Sequence, residues 1–119
     1  MTARDHRAPA PPAEPGFERV ASLSDLPEGS LLGVTMASGT AICLFNDAGR
    51  IGAIADLCTH QAFPMSQGTL LRDGTVQCSW HGARFDCGTG EVRDGPAVDP
   101  IRVYETQVRD GWIWVGRAA

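Results

Sequence analysis

The 119-residue chain has no apolar run approaching the roughly 20 residues needed to span a bilayer, and no apolar export-signal core of about 7 to 15 residues near its start. Both absences point to the cytoplasm and away from a membrane. Its ten basic residues are scattered and outnumbered by 14 acidic ones, for a formal charge of −4. Nucleic-acid surfaces need a clustered Lys/Arg footprint, so that class is set aside, and a basic protein partner suits the charge better. No Gly-x-Gly-x-x-Gly fingerprint is present, which removes a flavin or nicotinamide site of that type. Histidine is scarce, with three in the chain. There is no internal repeat, and helical periodicity is limited to a single turn expected to open at Ser24 in "SLSDLPEG".

What is present describes one small domain. An apolar fraction of 43%, with 14 glycines and 8 prolines, favours short strands joined by many turns. Residues 1–16 hold four of the prolines and no large apolar residue beyond Met1, so they are expected to form a mobile tail, with His6 solvated in it. From Phe17 to Ala119 short apolar or alternating runs follow one another between turn signals: "FERVASL", "LLGVTM", "TAICLF", "RIGAIA", a strand at Thr75–Cys78 after Asp73-Gly74, then "IRVYETQV" and "WIWVG" around Asp110-Gly111. The spacing predicts an all-β sandwich or small barrel closed by a hairpin.

Within the middle of the chain, "DLCTHQAFPM" and "VQCSWHGARFDC" each bring a cysteine and a histidine together: Cys58-x-His60, then 17 residues, then Cys78-x-x-His81. Two soft and two borderline donors at such spacing point to a metal centre. Zinc is one candidate, but its common arrangement puts cysteines in one loop and histidines in the other. A two-iron cluster fits the alternation better, because each loop can then reach both irons. Reduced thiols follow from this reading, so a pair of structural disulfides is disfavoured.

The segments "CTH" and "CSWHGARFDCGTGEV" closely resemble the two cluster-binding boxes of Rieske [2Fe-2S] proteins, and the resemblance extends from about Phe17 to Gly116. It implies an antiparallel β-sandwich with a small inserted cluster-binding subdomain, here about residues 56–90. It also implies one [2Fe-2S] cluster per chain, with Cys58 and Cys78 on one iron and His60 and His81 on the other. His60 and His81 would form the outward edge for electron exit, with Phe63, Pro64 and Trp80 as an apolar rim, Trp80 serving equally as a lid against solvent.

High-potential members of that family carry a further cysteine in each box, where Phe63 and Trp80 stand here, and a serine and tyrosine at the positions of Ala83 and Phe85. Fewer hydroxyl donors to cluster sulfur destabilise the reduced state, so the expected potential lies at the low end of the Rieske range, roughly −150 mV. After the cluster takes two histidines only His6 remains, so the chain lacks the two-histidine, one-carboxylate set of a mononuclear oxygenase iron.

The expected function is therefore that of a carrier and not an enzyme. It resembles the soluble Rieske ferredoxins of aromatic-ring dioxygenases, monomers that pass one electron from a flavin-containing ferredoxin reductase to a terminal Rieske non-haem iron oxygenase. Two other readings stand beside it, a Rieske-type small subunit of an assimilatory nitrite reductase and a zinc-stabilised non-redox binding module. Cys43 and Cys87 are read as small apolar core residues. Gly68 and Gly82 are read as serving loop geometry, and Trp112 and Trp114 as packing residues of the terminal strand.

Overall fold

The computed structural model describes residues 16–59, 63–79, 82–95 and 99–118. The expected tail, 1–16, therefore lies outside the described residues except for Gly16. Ten strands occur among the described residues: β1 (Glu18–Ser22), β2 (Leu31–Thr35), β3 (Ala41–Asp47), β4 (Arg50–Ala55), β5 (Thr69–Leu70), β6 (Thr75–Gln77), β7 (Arg84–Asp86), β8 (Val92–Asp94), β9 (Val103–Arg109) and β10 (Trp112–Ala118). The larger sheet has the order β1-β10-β9-β4-β3-β2 and the smaller β5-β6-β7-β8, with every pairing antiparallel. The smaller sheet lies in sequence between β4 and β9, two hydrogen-bonded neighbours of the larger one. This is the all-β, inserted-subdomain architecture expected above. No helix of the described residues is long and apolar enough to cross a membrane.

β3 shows how the sequence builds the molecule. Successive side chains of a strand point to opposite faces, and here both faces are buried. Ile42 and Leu44 join Leu26, Ala53, Ile113 and Val115 in one core, while Cys43 and Phe45 join a second core with Ile54, Met65, Val76 and Phe85. The larger sheet is thus a partition between two cores. Its outer strands are drawn together on the first side, where the Glu18 carboxylate accepts the Ala37 N–H at 3.1 and 3.0 Å.

The turns follow their chemistry. Asp110 and Gly111 both take positive φ, 54° and 80°, and join Arg109 to its partner Trp112 in a two-residue hairpin. On β10, Ile113 and Val115 are fully buried, while Trp112 and Trp114 lie half-buried on the other face. The Arg19 guanidinium stacks over Trp112 at 4.6 Å from the ring centroid. The expected helical turn begins one residue earlier than Ser24. It spans Leu23–Asp25 as a 3₁₀ turn because Ser22 caps it, accepting the Ser24 N–H at 3.3 Å.

Candidate metal centre

Two loops carry the predicted ligands. The first leaves β4 at Ala55, passes through Asp56, Leu57 and Cys58, and returns through Phe63, Pro64 and a 3₁₀ turn at Met65–Gln67 into β5. The second is the connection between β6 and β7 and opens with Cys78. Each is closed by the same bond: the Cys58 N–H donates to the Phe63 carbonyl at 2.9 Å, and the Cys78 N–H to the Ala83 carbonyl at 2.8 Å. A cysteine at the start of each loop therefore bonds the residue five positions later.

Strand pairing brings the loops together. Thr69 lies opposite Gln77 in the β5–β6 pair, so the exit of the first loop meets the entry of the second. Gly68 sits at that junction with no room for a side chain, since a Cβ would run into the Gln77 carbonyl oxygen. In the second loop Gly82 adopts φ 77°, a left-handed conformation that favours glycine, and its carbonyl accepts from Gln77 Nε2 at 3.4 Å.

Cys58 and Cys78 belong to one buried cluster, 4% and 0% exposed, together with Met65, Val76, Ala83 and Phe85. Two thiols at matching positions of two matching loops, walled by apolar side chains, are a donor set that fits an iron–sulfur centre. His60, His81 and Trp80 lie outside the described residues. The structure therefore brings together the sulfur half of the predicted ligand set. Phe63 packs against the same core, and Leu57, next to Cys58, is an exposed large apolar residue at 49%.

Cys43 and Cys87 lie in the same core, 0% and 1% exposed, and no disulfide joins any of the four cysteines. Burial pushes the Cys87 thiol up to about 12, with the carboxylates of Asp47 and Asp86 acting in the same direction. Burial likewise raises Cys43 well above the ordinary thiol range, helped by Asp56. Both stay protonated and neutral, as core residues do. The turn after the second loop is organised by Asp86, whose Oδ1 accepts the N–H groups of Gly88 at 2.9 Å and Thr89 at 3.0 Å, while Arg93 pairs with Oδ2 at 2.7 Å. Burial opposes the Asp86 charge, but these partners outweigh it and hold the carboxyl below the usual range.

Sequence reasoning assigned no role to Asp56 and Ser66, which bond to one another across the first loop. The signal for Asp56 was a lone charge between the apolar run "IGAIA" and Cys58.

Comparison with known proteins agrees with this geometry. The Rieske [2Fe-2S] domain family matches residues 17–105. The 3-phenylpropionate/cinnamic acid dioxygenase ferredoxin subunit of Escherichia coli strain K12 is 39% identical over 93 residues, covering 78% of this chain and 86% of that protein. Among solved structures, a chain of the complex of reduced oxygenase and oxidised ferredoxin in carbazole 1,9a-dioxygenase superposes with a TM-score of 0.79 at 26% identity, covering 87% of this chain and 94% of that one. The ferredoxin of carbazole 1,9a-dioxygenase from Nocardioides aromaticivorans IC177 gives 0.78 at 29% identity, covering 85% and 97%. With the two loops, the inserted sheet and these likenesses together, the chain belongs to the Rieske [2Fe-2S] family and is a ferredoxin, an electron-transfer component and not a catalyst.

Proposed function

We propose that Cys58, His60, Cys78 and His81 hold one [2Fe-2S] cluster, the cysteines on one iron and the histidines on the other. On this reading the chain carries single electrons from an NAD(P)H-dependent flavoprotein reductase to a terminal Rieske non-haem iron oxygenase that acts on aromatic rings. It does so as a monomer in the cytoplasm. The observation that carries the reading is the pair of equivalent loops, each closed from its cysteine to the residue five positions on, in a chain 39% identical to a dioxygenase ferredoxin subunit.

When bound, the cluster supplies reversible uptake of one electron. The chain's own residues set the conditions. Met65, Val76 and Phe85 keep water from the sulfur side, and the β5–β6 pairing fixes the two loops against each other. Ala83 and Phe85, both fully buried, offer no hydroxyl to cluster sulfur, which supports a potential near roughly −150 mV at the low end of the Rieske range.

Redox-titrated EPR on the purified chain tests the proposal. The expected result is a signal on one-electron reduction from mixed cysteine and histidine ligation, with a midpoint well below zero. Colourless protein with stoichiometric zinc, or a midpoint well above zero, would overturn it. Reversible reduction by a flavoprotein reductase identifies a carrier, whereas purification within a permanent larger complex would argue for a fixed enzyme subunit.

A further inference from the structure

We infer that Asp56, acting through Ser66, is the positioning residue of the first loop, and that it fixes the segment carrying Cys58 from a point outside the cluster's ligand set. This rests on the reading of Cys58 as a ligand. The Asp56 carboxylate accepts the Ser66 N–H through Oδ1 at 2.6 Å and the Ser66 hydroxyl through Oδ2 at 2.8 Å. The Asp56 carbonyl accepts the Met65 N–H at 3.4 Å. The loop's first residue and its last turn are therefore joined at the base, and Cys58 lies between them.

Asp56 is 9% exposed, so its side-chain oxygens depend on these bonds in place of water. The clip also leans on the larger sheet. A Cβ at Gly33, in β2, would stand 2.7 Å from Ser66 Oγ and 3.1 Å from Asp56 Oδ2. A strand outside the inserted sheet thus meets both ends of the loop at one point. The second loop is tied differently, through Gln77 Nε2 and the Gly82 carbonyl.

The test uses the full cluster-loaded chain and two readouts: the rate of cluster loss to a chelator, followed by visible absorbance, and amide exchange of peptides covering each loop. Ser66→Ala removes the hydroxyl bond to Asp56 Oδ2, and Gly33→Ala crowds the clip from β2 while leaving both polar groups in place. Each is expected to speed cluster loss by about tenfold and to speed exchange in the Cys58 peptide by a similar factor, with the Cys78 peptide unchanged. Because both act on one contact, the double variant should lose its cluster at a rate within about threefold of the faster single variant.

Multiplying effects in the double variant, or equal acceleration of both loop peptides, would overturn the inference, as would unchanged cluster loss and exchange in both single variants. The ligand reading fails by a different sign. A Cys58→Ala chain that keeps its full cluster would overturn that reading and leave the exchange comparison standing.

Discussion

At the scale of single residues, Ala83 concentrates the electronic argument. Its side chain is fully buried in the core that holds Cys78, and its carbonyl already receives the Cys78 N–H, so a hydroxyl added there would be buried close to the Cys78 backbone. A bond to sulfur counts for more in the reduced, more negative state. Ala83→Ser is therefore expected to raise the potential by about 40–60 mV, the equivalent of one modest hydrogen bond for a one-electron couple. Protein-film voltammetry checks it, and an unchanged or lower value would mean that the hydroxyl does not reach the cluster. Phe85, equally buried, is a harder position to vary, since it also fills the core between Val76 and Cys87.

At the scale of elements, the critical contact is the junction of β5 and β6, only two and three residues long. Such short strands hold little by themselves, so the close backbone approach at Gly68 is what keeps the loops in register. Gly68→Val would force the two chains apart. Its expected effect is a chain that binds less than half the normal iron and sulfide while the larger sheet keeps its β signature, read by metal analysis beside far-ultraviolet circular dichroism. Full iron content would show that the junction tolerates a side chain.

The same elements explain what the sequence could reveal. The strands of the larger sheet were legible because five to seven residues suffice to show an apolar or alternating run and because Asp110-Gly111 names its own turn. β5, β7 and β8 were not, since two or three residues display no period. Long-range neighbours such as β1 with β10 and β4 with β9 depend on how the whole sheet closes, which no local pattern encodes. Spacing also singled out Cys58 and Cys78, which the fold places in one buried core. The Asp56–Ser66 clip was hidden, because a contact across ten residues through an irregular loop leaves no periodic trace.

For the whole molecule, the formal charge of −4 in a small chain sets how partners approach. If the proposed reductase and oxygenase partners present basic surfaces, encounter is steered electrostatically and weakens as salt shortens the screening length. Stopped-flow association with the reductase is expected to slow by about tenfold between roughly 50 and 500 mM salt, with little change in the later electron-transfer step. A flat dependence would show that charge does not steer recognition.

The partition formed by β3 has a consequence for where the fold would yield. The core on its first face, built from Leu26, Ile42, Leu44, Ala53, Ile113 and Val115, takes no residue from either cysteine loop. On the proposed cluster reading, loss of iron and sulfide is therefore expected to disturb the other core first and to leave this one packed.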